Sequence, residues 1–142
     1  MKKTVCFLAG CLLVLSGCRT ANETLASAAP DGEWNVMELN GRRFPSERGV
    51  PQLTFDADSR RFSGFAGCNR FAGEFAAGRK GAVGFSKVVS TRKACVNTRV
   101  EDELLRALNE AVRLEAGGET TASLTFYGAG RRKLFVLEKA SR

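Results

Sequence analysis

Residues 52–75 read QLTFDADSRRFSGFAGCNRFAGEF, and this stretch decides the fold. Leu53, Phe55 and Ala57 alternate with Gln52, Thr54 and Asp56, the period of two that marks a half-buried strand. Asp56-Ala57-Asp58-Ser59 then supplies turn chemistry, because short polar side chains bond their own backbone and stop a strand. Phe62, Phe71 and Phe75 follow, with Phe85 beyond, in short runs separated by glycines. Strands this short with connections this close pair as antiparallel neighbours, since a parallel crossover needs a dozen or more residues.

The same rhythm holds on both sides. Glu33 to Leu39 runs into Asn40-Gly41, a dipeptide suited to a type I′ hairpin because both residues tolerate positive φ, and Arg42 to Phe44 returns. Ala122 to Phe126 and Lys133 to Leu137 flank Gly128-Ala129-Gly130 as a last hairpin. About seven to nine short strands imply a small antiparallel β-barrel or strongly bent sheet. One segment departs from it. Leu104, Leu105, Leu108, Ala111 and Val112 share a face at helical spacing, opposite Asp102, Arg106, Asn109 and Glu110. Thr98 and Glu101 have capping-box spacing, and Glu101, Asp102 and Glu103 suit the positive end of a helix dipole, as Arg113 suits the other end. A helix over about 99–113, packed on the sheet by its apolar stripe, makes the class α+β.

At 142 residues the chain fits one domain, and 44% apolar with 26% charged residues excludes a disordered tail or a coiled coil. It contains no histidine, which removes Ser/His/Asp and Cys/His nucleophile systems and His-ligated metal or haem. The net charge of +7 gathers in basic doublets at Arg42-Arg43, Arg60-Arg61, Arg79-Lys80, Arg92-Lys93 and Arg131-Arg132-Lys133. Most fall at expected turns, where solvation suffices. Convergence on one rim would suit anionic lipid headgroups or an acidic partner. Nine of the ten phenylalanines lie beyond the first seventeen residues, enough for a packed core or for a lipocalin-like apolar cavity.

The start of the chain reads as an export signal: Lys2 and Lys3 precede an apolar run from Val5 to Leu15. Such a run is too short to span a bilayer, which takes about 20 residues. It ends in Leu15-Ser16-Gly17-Cys18, which resembles the lipobox of bacterial lipoproteins, so that residues 1–17 would be removed and Cys18 would carry lipid. Arg19 after that cysteine resembles the pattern of lipoproteins sorted to the outer membrane, facing the periplasm. Residues 18–32 show no sustained apolar period and read as anchor and flexible tether, with the domain occupying 33–142. Export also denies access to nucleic acid.

Cys68 and Cys95 remain once Cys6 and Cys11 leave with the signal and Cys18 is lipidated. In an oxidising compartment the pair reads first as a disulfide, with two free buried thiols, or a metal or catalytic pair, as the alternatives. Gly64 to Gly73 is the most distinctive run: its glycines read as a barrel corner, and Asn69 and Arg70 as a polar niche beside the cysteine. Arg92 is a third candidate for that niche.

Trp34, the block 51–55, Phe62 to Arg70, Ser90-Thr91-Arg92-Lys93-Ala94-Cys95 and the acidic helix start at Glu101 resemble the META domain, the fold of HslJ-like envelope lipoproteins. The match covers about 33–138 in order, and Lys93 departs from the Met common there. The resemblance implies a small β-rich domain with one helix, associations with heat shock and drug tolerance, and no established enzymatic activity. Its fold also resembles pilot lipoproteins that escort secretin subunits.

Two other motifs stand in the chain. Ser90 to Lys93 matches the Ser-x-x-Lys of penicillin-recognising enzymes, whose other motifs are absent, and the carboxylates of the helix start read as caps exposed to water. The expectation is a monomeric, non-enzymatic outer-membrane lipoprotein without cofactor or metal. It would hold the membrane through Cys18 and serve envelope maintenance or stress tolerance by binding a protein or lipid. An inhibitor of an envelope enzyme, with a rigid loop at 41–51, and a pilot or assembly chaperone are the alternatives.

Overall fold

The computed structural model describes residues 29–45, 51–118 and 122–140. Cys18, the signal segment, most of the expected tether and part of the 41–51 loop therefore lie outside the described residues. Nine strands and one helix follow in order: β1 (Gly32–Leu39), β2 (Arg42–Arg43), β3 (Gln52–Asp56), β4 (Arg61–Phe65), β5 (Arg70–Ala77), β6 (Val83–Ser90), α1 (Arg99–Glu110), β7 (Arg113–Gly117), β8 (Ser123–Tyr127) and β9 (Lys133–Lys139). All pairings are antiparallel, in the spatial order β6-β5-β4-β3-β1-β9-β8-β7, with β2 added to β1. The sheet curls until its two edge strands meet through one bridge, Ala82 to Arg113, and the Val83 amide donates to the Val112 carbonyl at 3.2 Å.

Each expected hairpin forms for its expected reason. Asn40 and Gly41 take φ of 48° and 82°, which joins β1 to β2 as a primed turn does. In β3 the pattern is strict: Leu53 and Phe55 are buried while Gln52, Thr54 and Asp56 face solvent. The sharp curl needs two close approaches. A Cβ at Gly64 would collide with the Phe71 ring and the Gln52 carbonyl, and one at Gly73 would stand 2.8 Å from both the Phe62 ring and the Ser86 carbonyl. Opposite Gly73 a bulge at Lys87, with φ of 51°, bends β6 over the core.

Phenylalanines fill the interior of the curl. Phe55 meets Phe75 edge-on at 5.2 Å, Phe62 meets Phe85 edge-on at 5.0 Å, and Phe126 stacks on Phe135 at 4.4 Å. Leu104, Ala107 and Leu108 of α1 complete this core, so the helix packs on the sheet as its stripe requires.

The helix is shorter than its periodicity suggests. Ala111 turns to extended backbone at ψ 124°, and the Val112 amide donates to the Tyr127 carbonyl at 2.9 Å. Sheet bonds thus claim 111–113, which puts Arg113 in β7 rather than at the helix end and leaves Val112 exposed. The capping box is also absent. Thr98 makes no side-chain cap to backbone; its hydroxyl donates to Asp102 Oδ2 at 2.9 Å, and Glu101 points elsewhere.

Candidate functional site

Glu101 is buried, 4% exposed, as is Asn69, and these are the two buried polar side chains among the described residues. The Asn69 amide donates to Glu101 Oε2 at 2.9 Å, and the Ser90 hydroxyl donates to Oε1 at 3.2 Å. Asn69 Oδ1 in turn accepts the Thr91 hydroxyl at 3.0 Å and the Lys93 amide at 2.8 Å. Every buried side-chain polar atom among the described residues has a partner. A disulfide joins Cys68 to Cys95 beside this network, with the Cα atoms 6.3 Å apart. Disulfide and network together tie the 66–69 turn, the irregular 91–98 loop and the first turn of α1 into one unit.

The burial of Glu101 corrects the expectation that the helix-start carboxylates face water. Its signal was present in the chain: Glu101 precedes Leu104 by three residues and Leu108 by seven, on the apolar stripe itself. Asn69 therefore belongs to a structural staple, not to an open niche. Arg70 and Arg92 are exposed. Ser90 ends β6 and no helix begins there, so the Ser-x-x-Lys geometry is not built.

The staple forms one end of a trough on the solvent face of β3 to β6, and strand register defines its shape. Thr54 pairs with Ser63, Ser63 with Ala72 and Ala72 with Val89, so a row of small side chains crosses three strands and ends at Val89. One step toward the disulfide, Gln52 pairs with Phe65 and Phe65 with Arg70, whose carbonyl accepts the Thr91 amide at 2.9 Å. One step the other way, Asp56, Arg61 and Glu74 form the opposite wall. Large side chains thus flank a floor of small ones; the hollow between the floor and the Phe65–Arg70 wall has a volume of about 490 Å³, and a smaller one of about 240 Å³ lies on the Arg61 side.

Phe65 and Val89 stand on this trough 39% and 67% exposed, and the Arg70 guanidinium lies 5.9 Å from the centre of the Phe65 ring. Exposed apolar side chains grouped beside a cation mark a contact surface more often than scattered ones do. Among the described residues neither Arg61 nor Arg70 has a carboxylate within ion-pair distance, whereas Glu74 is held by Lys87 at 3.0 Å. Asp56 Oδ1 accepts the amides of Asp58 and Ser59, and the Ser59 amide above all holds its carboxyl below the usual carboxylate range.

Four cations of the basic doublets are taken up in ion pairs: Arg42 with Glu103, Arg131 with Glu115, Arg132 with Glu110 and Lys133 with Glu38. Arg99 donates to Glu103 and Arg113 to Glu115, which lowers both carboxyl groups below their ordinary range. Among the described residues no cluster of Cys, Asp and Glu could hold a metal ion.

A family model for the META domain matches residues 23–141, most of the chain. The chain belongs to the META domain family. An NMR structure of a protein from Burkholderia xenovorans is similar over 97% of this chain and 100% of its own, at 21% identity and a TM-score of 0.64. A crystal structure of a DUF4847 family protein from Bacteroides vulgatus is similar over 87% of this chain and 99% of its own, at 18% identity and a TM-score of 0.55. At these identities the likeness is one of fold. No curated protein matches the chain. As a META domain, the chain folds its Gly-Cys-Asn-Arg and Ser-Thr-Arg-Lys-Ala-Cys blocks into one place, the stapled end of the trough.

Proposed function

We propose that this META domain is a non-catalytic binding module, anchored to the outer membrane through lipid on Cys18, that serves envelope stress tolerance by holding a partner in the trough of β3 to β6. The carrying observation is the trough itself, where Phe65 and Val89 are exposed over a floor of small side chains, beside an Arg70 that has no carboxylate partner among the described residues. A fixed concavity with apolar walls and a few polar groups is what recognition needs. The lipobox spelling of residues 15–18 supports the anchor, and the exported context supports the envelope role.

A pilot-type chaperone is one form of the same reading, because the trough is open along its length. The inhibitor reading has less support: residues 41–45 are mostly exposed but belong to a short hairpin return.

Complementation tests the proposal. In a deletion strain challenged with envelope stress, the wild-type chain should restore growth. Ser63→Trp, which fills the trough from an exposed position, should not, although its abundance and melting temperature stay near wild type. Asn109→Trp, on the exposed face of α1, should complement. Full rescue by Ser63→Trp would remove the trough from the function. Palmitate labelling that persists in Cys18→Ser would remove the anchor.

A further inference from the structure

The trough carries a preference of charge and shape. It crosses the strands from β3 to β6, three strand spacings or about 14 Å, which accommodates about four residues of extended chain at 3.3 Å each. Its floor and near wall offer the hydroxyls of Thr54 and Ser63 and the amide of Gln52, groups that bond an extended backbone. Phe65 and Val89 offer apolar contact for alternate side chains.

Charge is unbalanced at the end nearest the disulfide. Arg70 on that wall lacks a carboxylate partner among the described residues, whereas Arg61 on the opposite wall stands in register between Asp56 and Glu74. The two carboxylates present are engaged, Glu74 by Lys87 and Asp56 by amides of its own turn. Exposed Arg92 and Lys93 adjoin the Arg70 end, where Thr91 lines the trough. The Arg70 end of the surface is therefore suited to anionic groups of an extended chain.

The position of the tether favours a protein segment over a lipid surface. Gly32 pairs with Phe55, and Asp31 Oδ1 accepts the Ala57 amide at 3.2 Å, so the chain joins the domain at the β3–β4 turn. Phe65 and Arg70 lie at the other end of β4, and the exposed Val96 lies in the loop stapled there. This rim is therefore the end of the domain opposite the point where the N-terminal segment joins it.

We propose that the trough binds an extended acidic segment of a partner protein, about four residues long, whose carboxylates meet Arg70 and whose apolar side chains rest against Phe65 and Val89. The inference rests on the trough being the binding site and names the chemistry of what it holds.

The test uses the full chain in detergent micelles and an array of labelled octapeptides. Their four-residue cores alternate Asp or Glu with Leu or Phe, and each has an Asn or Gln counterpart. Fluorescence anisotropy should find acidic cores that bind at least tenfold more tightly than their amide counterparts. Arg70→Gln, at an exposed position, should weaken that binding about five- to tenfold, Arg61→Gln between Asp56 and Glu74 should change it less than about twofold, and added salt should weaken it further. Equal binding of acid and amide cores, or no binding by any acidic core, would overturn the proposal. So would stronger, Arg70-dependent binding to phosphatidylglycerol vesicles, which would assign the surface to lipid. If Ser63→Trp fails to complement yet no acidic core binds, the partner chemistry is wrong and the trough stands. Full complementation by Ser63→Trp removes both.

Discussion

Replacing Cys68 and Cys95 together by serine is expected to lower the unfolding free energy by about 3–4 kcal/mol, because the bridge closes a loop with a sequence separation of 27. For a domain of this size that corresponds to roughly 10–20 °C in melting temperature. The effect is concentrated. Residues 91–98 contain no regular element, so their position depends on the disulfide and on the bonds from Asn69 to Thr91 and Lys93. Hydrogen exchange of the variant should speed up at 91–98 and at 66–69 while the amides of β8 and β9 stay protected relative to global unfolding. A thermal shift under 3 °C, or a loss of protection spread evenly over the sheet, would contradict the stapling role of the bridge.

The second large effect belongs to Glu101. Glu101→Ala removes a carboxylate that accepts from the Asn69 backbone amide and the Ser90 hydroxyl; the hydroxyl keeps the Thr91 carbonyl as acceptor, and the buried Asn69 amide loses its partner. Hydrogen bonds to a charged acceptor contribute about 1.5–3 kcal/mol each, and an orphaned buried donor adds a desolvation cost, so a loss of about 3 kcal/mol is expected. Glu101→Gln should cost less, since its carbonyl still serves one donor while its amide group faces the other. Asp102→Ala, one position on and exposed, should cost under about 1 kcal/mol. Urea melts of the three variants check this ordering. Equal small losses at 101 and 102 would return Glu101 to the role of an exposed helix-start charge.

These two effects should not add. The disulfide and Glu101 restrain the same pair of segments, and contacts that share a segment couple by about 0.5–3 kcal/mol in a double-mutant cycle. A triple variant that lost the full sum would show that the bridge and the carboxylate act independently.

Period-two patterning made the strands legible wherever one face met water. Leu53 and Phe55 in β3, the Asn40-Gly41 turn and the final hairpin all stand where their residues indicated. β7 was not legible: the helical stripe ran to Val112 and no alternation marked Arg113 to Gly117, which pairing with β8 and the bridge to Ala82 make a strand. The limit there is physical, because tertiary hydrogen bonds at a sheet edge outweigh the small differences in local helix preference.

The site was legible in its parts and hidden in its assembly. Cys68, Asn69 and Arg70 stood out as residues, and their neighbourhood with Cys95 does form. Asn69 nevertheless faces inward and Arg70 outward, a difference that alternation along β5 explains only once its register is known. The trough was invisible to the sequence for the same reason. Thr54, Ser63, Ala72 and Val89 become one floor through cross-strand pairing, and a shift of one residue would turn that row into the core.

The trough of β3 to β6 is the proposed meeting place of this protein and its partner. The most direct test is a photo-crosslinking residue placed at Val89, 67% exposed at the end of the trough floor, with the same residue at exposed Asn109 on α1 as control. Irradiation of intact envelopes should give a discrete adduct from position 89 and none from 109, and Ser63→Trp should abolish it. No adduct at 89, or equal adducts at both positions that survive Ser63→Trp, would contradict the account.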